Sequence, residues 1–260
     1  MKAVKLNFPA QEYHTANGLS KSGMTKLLKS PAHYKAFLNE EKQATKAMQI
    51  GTATHTAILE PHIYNSTVAI RPVGLDGRTK EGKQWAVENE GKIQLTQEEA
   101  QDIQGMAKAV FDHQIYKSEI QGRSQKIEAS IFEELESGVV LKARPDLWIE
   151  GTLFDIKTTE DASEGSFTKT CANLMYHLQA AHYLKMADAQ RFVFIAVERH
   201  APYAVNVFEL DPAWITLGNT LREKAIQILH ECQVLDHWPA YNANLKTLAM
   251  PKWIASQTEI

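Results

Sequence analysis

Apolar residues recur at spacings of three and four through Met24, Leu27 and Leu28, the rhythm of one buried helix face. Ser20 or Ser22 is placed to cap that helix. Residues 1–18 show no such period and read as an extended lead-in with Pro9 and a turn at Asn17-Gly18. Pro31 opens a second short helix through Tyr34, Phe37 and Leu38, since proline fits a first helical turn. The stretch from Met48 to Leu59, stopped by Pro61, reads as a helix with Gly51 and His55 on one face. Glycine there would permit close packing and leave His55 room to point into a site. Val68-Ala69-Ile70 is a short strand in an otherwise irregular region, 62–78. Gly74, Gly77 and Gly82 mark a flexible loop carrying Arg71, Arg78, Lys80 and Lys83. Helices follow over 81–89 and 97–115, the second opened by Thr96 and Glu99 at capping-box spacing.

From residue 126 the period changes to two. Along Lys126–Glu134, Glu128, Ser130 and Phe132 fall on one strand face, and Ile127, Ala129 and Ile131 on the other. Gly138 turns the chain into Val139–Leu141, and Leu153–Thr158 makes a further strand. Three consecutive antiparallel strands are predicted, which would bring Glu128, Asp146 and Asp155 onto neighbours. Phe167–Lys185 reads as one helix, with Tyr176, Gln179 and Tyr183 near one face. That face suits buried side chains bonding to the sheet as well as a site. Arg191–Glu198 is nearly all apolar, as at a sheet centre, and Tyr203–Leu210 alternates, as at an edge. Asp211-Pro212 caps a long helix, Ala213–Cys232. Aromatics beside prolines in the tail, Trp238-Pro239 and Pro251-Lys252-Trp253, suit docking on the body or on another subunit.

Composition adds little: 44% hydrophobic and 23% charged residues are ordinary for a globular chain. There is no run of 18 apolar residues and no apolar segment near the N-terminus, so neither a membrane span nor a signal peptide is expected. Cys171 and Cys232 lie far apart, which argues against a disulfide framework, a zinc ribbon or a four-cysteine cluster. A cytoplasmic location is expected. Charge distribution is more informative than the net −3. Residues 1–50 hold eight lysines against three acids, a balance of +5. Residues 88–136 hold eleven acids against five bases, a balance of −6. The first helical pair, with Lys21, Lys26, Lys29 and Lys35, thus offers a basic surface to a polyanion.

The candidate chemistry lies in Arg144-Pro145-Asp146 and Asp155-Ile156-Lys157-Thr158-Thr159. Asp155 and Lys157 point to one strand face, and Phe154 and Ile156 to the other. A turn at Glu150-Gly151-Thr152 can set Asp146 beside them. Two carboxylates on one patch suit Mg²⁺ or Mn²⁺, which favour hard oxygen donors. The lysine can hold or deprotonate a water, or offset charge on a phosphate. On spacing alone, the same residues also suit an ordinary charged hairpin.

Taken in order, these residues resemble the PD-(D/E)xK nuclease superfamily, most closely the RecE (exonuclease VIII) type of phage and prophage exonuclease in its RecB-like branch. The resemblance covers nearly the whole chain. It runs from Ser20-Lys21-Ser22 before Pro31 and Tyr34, through Gly51-Thr52-Ala53-Thr54-His55, Glu60-Pro61 and the Arg78–Lys83 loop. It continues through Glu128-Ala129-Ser130, Arg144-Pro145-Asp146, Asp155-Ile156-Lys157, Tyr176-His177-Leu178-Gln179 and Trp238-Pro239 to Pro251-Lys252-Trp253. Asp155 stands where many members have glutamate, within the family's pattern.

The resemblance implies an α/β (α+β) fold with a central mixed sheet flanked by helices. It implies one exonuclease domain over 1–260: an N-terminal helical, DNA-contacting part (1–60), a nuclease core (120–232) and a tail (233–260). It implies a Mg²⁺-dependent enzyme, with Mn²⁺ able to substitute, that degrades the 5′ strand of linear duplex DNA and leaves 3′ tails. The partners implied are double-stranded DNA ends, a single-strand annealing protein and further copies of the chain in a ring of three or four; no membrane is involved. Asp146, Asp155 and the Ile156 carbonyl would ligate the metal, with His55 as a further ligand and Glu128 holding a second ion directly or through water. Lys157 would position or deprotonate the attacking water, Gln179 would orient Lys157 or that water, and Tyr183 would support the phosphate side. Lys21, Lys26, Lys29, Arg78, Lys80 and Tyr176 would meet DNA. The alternative is a Cas4-like or restriction-type nuclease acting on single strands or internally. Cas4 relatives usually carry cluster cysteines, which are missing here.

Overall fold

The structure is a computed structural model describing residues 1–40, 44–241, 244–251 and 254. The N-terminal segment is more ordered than its lack of period predicts. Lys2–Lys5 form strand β1, and Ala10–Thr15 a short helix, α1. Strand β1 is an edge that borrows its register from a later strand, so its own sequence carries no signal. Helix α2 (Lys21–Lys29) is capped by the Ser20 hydroxyl, and α3 (Pro31–Asn39) by Ser30 with Pro31 in its first turn. Thr45 caps α4 (Lys46–Leu59). A short helix, α5 (Tyr64–Thr67), precedes β2 (Val68–Ile70), which pairs in parallel with β3 (Ile93–Leu95) around α6 (Lys80–Glu88). Thr96 and Glu99 form both halves of the expected capping box on α7 (Gln97–Asp112), and a π-helical turn follows at Tyr116–Ile120.

The strand expected over Lys126–Glu134 is divided. Strand β4 (Lys126–Ile127) ends where Glu128 turns to φ 45°, and β5 (Ser130–Glu134) starts beyond it. Ile127 packs with the Phe154 and Ile156 cluster and Ile131 with that of Leu153 and Phe194, so the shared face expected for them is lost at a positive φ that the hydrophobic period does not announce. The predicted three-strand succession is likewise replaced by two sheets. Strand β5 pairs with β1 and with β6 (Val140–Ala143). Strand β7 (Leu147–Ile149), too short to show a period, pairs with β4 and with β8 (Thr152–Thr159). The larger sheet runs β10-β9-β8-β7-β4, where β9 is Arg191–Glu198 and β10 is Val205–Glu209. Strand β8 is parallel to β9, and the other pairs are antiparallel. The sheet is mixed, as expected.

Phe167–Lys185 is two helices, α8 (Glu164–Asn173) and α9 (Tyr176–Ala187). Met175 adopts φ 52° between them, without a glycine or proline to announce it. A crossover of α8 and α9 links the parallel strands β8 and β9. Helix α10 (Pro212–Leu235) is capped by Asp211 and packs against α9.

Helices cover both faces of the sheet. Phe154, Ile156, Val193 and Ile195 pack with Ile103, Met106 and Val110 of α7. Leu153, Phe194 and Ala196 pack on the other side with Leu178, Ala180 and Ala225. Asp155 and Lys157 share Leu153's face of β8, so they look towards α9. Trp238 stacks on Tyr34 at 6.3 Å, and the Pro239 carbonyl accepts from the Ala32 amide at 3.1 Å, so this part of the tail docks on α3. Lys252 and Trp253 lie outside the described residues. Among the described residues, no helix is long and apolar enough to cross a membrane.

Candidate active site

Strands β7 and β8 are joined through Glu150 (φ 44°) and Gly151 (φ 83°), the double left-handed turn that suits the twist of a two-residue hairpin. The hairpin returns β8 past the residue that precedes β7. The Ile156 amide therefore donates to Asp146 Oδ2 at 2.7 Å. Helix α4 lays His55 over the same spot. Its Nε2 lies 2.9 Å from the Ile156 carbonyl oxygen, and its Nδ1 3.5 Å from Asp146 Oδ2.

On the other side of Ile156, three side chains close a ring. Lys157 Nζ stands 2.6 Å from Asp155 Oδ1 and donates to Gln179 Oε1 at 3.2 Å. Gln179 Nε2 donates to Asp155 Oδ2 at 2.5 Å. Burial disfavours the Lys157 ammonium, but Asp155, Tyr176 and Asp146 outweigh it, and its pKa is raised. Lys157 is therefore a cation in this arrangement. It is set to donate to a water or a phosphate oxygen.

The metal expectation can be tested on the donors themselves. Asp155 is 1% exposed, and its Oδ1, although ion-paired with Lys157, accepts no well-directed hydrogen bond. Burial first, and then the Asp155 charge, push the Asp146 carboxyl up to about 7 against the pull of His55 and Lys157. Two crowded carboxylates short of positive charge, with a carbonyl between them, form an oxygen donor set that a hard divalent cation suits. Among the described residues, no three His, Cys, Asp or Glu side chains converge as a ready-made cage. The fit thus rests on Asp146, Asp155 and the Ile156 carbonyl, with His55 alongside.

Of the remaining candidates, Glu128, Tyr176 and Lys21 border the cluster. Glu128 is engaged by Arg144 Nε at 2.7 Å, while its amide donates to the Asp146 carbonyl. Tyr183 packs beside Phe192 and His182. Burial, then Tyr13, Asp155 and Asp146, raise its pKa well above the ordinary phenol value, so it stays a protonated phenol. The Tyr176 ring lies 4.7 Å from Lys157 Nζ and 5.7 Å from Lys21 Nζ. Lys26 and Lys29 are exposed on α2. Arg78 is turned onto Asp76 in its own loop at 2.7 Å, and Lys80 is exposed at the start of α6. Among the described residues, no hydrogen bond or ion pair links Arg78 or Lys80 to the carboxylate cluster. Nor does Gly51 serve His55 by close packing: a Cβ there would meet only Thr158 Oγ1, at 3.9 Å.

The sequence reading gave Arg144 no role, yet it organises this edge of the site. Besides Glu128, its Nη1 donates to the Phe8 carbonyl at 2.8 Å and to Ser130 Oγ at 2.7 Å. Its position next to Pro145-Asp146 was the available signal. An open cavity of about 790 Å³ runs between Phe8, His14, Thr52, His55, Glu128 and Arg144. It adjoins the cluster through His55.

The sequence profile of the PDDEXK-like domain of unknown function (DUF3799) matches residues 20–249. The chain belongs to this PDDEXK-like family. The expected mixed α/β nuclease fold is the one observed, and nucleases of PDDEXK type generally work with divalent metal ions. Among solved structures, the chain is similar to a protein of Eubacterium rectale named "Putative exonuclease", at 12% identity, 97% coverage of both chains and a TM-score of 0.63. That likeness shows the shared fold. A phage-related exonuclease of Haemophilus somnus 129PT aligns at 10% identity, over 85% of this chain and 97% of that one, with a TM-score of 0.37. An alkaline exonuclease of Laribacter hongkongensis aligns at 14% identity, over 71% and 90%, with a TM-score of 0.33. The last two likenesses are too loose to argue from. No curated protein matches the sequence.

Proposed function

We propose that this PDDEXK-like protein is a divalent-metal-dependent exodeoxyribonuclease, with Mg²⁺ as its ion and Mn²⁺ as a substitute. It degrades the 5′ strand of linear duplex DNA and leaves 3′ single-stranded tails for annealing-type recombination. The observation that carries the nuclease reading is the β7–β8 hairpin, which sets Asp146 against the Ile156 amide while Asp155 pairs with Lys157. A divalent ion between Asp146, Asp155 and the Ile156 carbonyl would supply Lewis-acid charge at the scissile phosphate. Lys157 holds the attacking water and faces the growing charge on phosphorus. Gln179 fixes the Lys157 ammonium and the Asp155 carboxylate together. Hydrolysis joins the water oxygen to phosphorus and breaks one phosphorus–oxygen ester bond, leaving a phosphate on one product and a hydroxyl on the other.

Polarity, end dependence and recombination rest on the RecE-type resemblance, as do a ring of three or four copies and a single-strand annealing protein as partner. The basic α2–α3 pair supports a polyanionic substrate, with Lys26 and Lys29 at its exposed edge. The test is digestion of linear duplex labelled separately at each end, with and without Mg²⁺, beside a covalently closed circle. Release from 5′ ends only, with the circle intact, is expected. Nicking of the circle would favour an internal cutter, and no Mg²⁺-dependent release would overturn the enzyme reading.

A further inference from the structure

Two lysine ammonium groups share the ring of Tyr176, and their circumstances differ. Lys157 has the Asp155 carboxylate at 2.6 Å. Lys21 has no carboxylate within ion-pair distance among the described residues; its Nζ donates to the neutral carbonyl of Leu174 at 2.6 Å, at the end of α8. Burial and the Lys157 charge push its pKa down to about 8, against the pull of Asp155. A half-buried cation beside another cation, without a counter-charge, is an arrangement that an incoming anion relieves. Helix capping alone does not account for it. Lys26 and Lys29 on the same helix stay in solvent. Lys21 instead comes from the N-terminal helical pair into the neighbourhood of the catalytic lysine.

We propose that Lys21 is a second active-site cation, which receives a non-bridging oxygen of the substrate phosphodiester beside Lys157, with the Tyr176 ring spacing the two ammonium groups. This rests on the nuclease reading above and deepens it. Negative charge on the phosphate oxygens must be met as water attacks, so a cation fixed in advance near those oxygens favours the transition state over the bound ground state. Lys21 therefore acts on turnover more than on affinity, unlike a lysine that only grips the backbone.

The test compares Lys21→Met, Lys21→Gln and Lys21→Arg with wild type and with Lys108→Met, an exposed site on α7. Single-turnover cleavage of linear duplex is followed in Mg²⁺ at saturating DNA, and equilibrium binding of the same duplex in Ca²⁺. Lys21→Met is expected to cleave about 10²-fold more slowly, with binding weakened only several-fold. Lys21→Gln keeps a donor for the Leu174 carbonyl without the charge and is expected to lose as much. It also decides the matter if the Met variant fails to fold. Lys21→Arg is expected to recover to within about tenfold of wild type, and Lys108→Met to match wild type. Cleavage by the Gln variant within threefold of wild type, or an effect confined to binding, would overturn the proposal while leaving the nuclease reading intact. A wild-type protein that releases no nucleotide would overturn both.

Discussion

Gln179 on α9 donates its amide hydrogen to Asp155 on β8 at 2.5 Å, across 24 positions of the chain. Its carbonyl oxygen accepts from Lys157, so a single neutral side chain serves both members of the ion pair. Gln179→Leu preserves bulk and removes both bonds. It leaves a buried carboxylate oxygen unpaired, at a cost of about 1–3 kcal/mol, and lets the Lys157 ammonium drift. The variant is expected to melt lower and to cleave DNA about 10- to 100-fold more slowly, with duplex affinity in Ca²⁺ little changed. Wild-type turnover in a folded Gln179→Leu protein would remove Gln179 from the site.

Lys157 gives the sharpest separation of binding from chemistry. Its ammonium contacts Asp155 and Gln179, while Asp146 is held by the Ile156 amide and the Ile156 carbonyl lies against His55, so two of the three oxygen donors are positioned without it. Lys157→Ala is expected to bind divalent metal and duplex DNA and to lose hydrolysis by about 10³-fold or more. Titration calorimetry with Mg²⁺, a DNA-binding isotherm and single-turnover cleavage check this together. Near-normal cleavage would refute the assignment.

His182 makes stability depend on pH in a calculable direction. It is fully buried, with Nε2 3.1 Å from the Lys142 carbonyl and Nδ1 accepting from Arg222 Nε at 3.4 Å. Burial lowers its pKa to about 4, and Arg222 adds to the fall. The unfolded chain therefore binds a proton near pH 6.5 that the folded chain refuses until about pH 4. This contribution to stability is complete above the unfolded value and is lost as pH falls below it, by on the order of 2 kcal/mol between pH 7 and 5. Asp146 acts oppositely: its raised pKa favours the folded state when protonated, so its effect weakens stability as pH rises from about 4 to 7. The difference between wild type and His182→Gln isolates the histidine. Urea unfolding is expected to show a shallower loss from pH 7 to 5 in the variant, and equal slopes would contradict the burial argument.

The parts of this molecule that were legible in the sequence are those with local causes. Ser20, the Thr96–Glu99 pair and Asp211 cap helices through bonds within four residues, and the apolar run of β9 announces a strand covered on both faces. The Asp155–Lys157 spacing fixes their shared face for the same reason, because strand geometry alone decides it. What was not legible depends on distant partners or on single dihedrals. Strand β1 exists because β5 offers it an edge, and Glu128 and Met175 break their elements by positive φ at residues that do not favour it. The Arg144 bonds to Glu128, Ser130 and Phe8 require three segments to be placed first. Lys21 looked like any other lysine of a basic helix until α8 and α9 brought Leu174 and Tyr176 to it.

Gly218 shows how packing far from the chemistry holds the site. Helix α10 crosses α9 so closely that a Cβ at Gly218 would lie 2.2 Å from the His177 carbonyl oxygen and 2.8 Å from the Ala181 Cβ. The first obstacle is backbone in the opening turn of α9, the turn that presents Tyr176 and precedes Gln179 by two residues. Gly218→Ala gains about 1 kcal/mol of helix propensity, but it must push the two helices apart, an overpacking cost of about 1–3 kcal/mol or more. The clash wins because a helix carbonyl cannot rotate away as a side-chain tip would. Gly51→Ala, whose new methyl would meet nothing closer than Thr158 Oγ1 at 3.9 Å, keeps the propensity gain. Thermal melts are therefore expected to move in opposite directions, down for Gly218→Ala and up for Gly51→Ala. Cleavage should fall with the Gly218 variant, because α9 carries Gln179 away from Asp155. A Gly218→Ala protein as stable and as active as wild type would show that α9 is not held in register by α10.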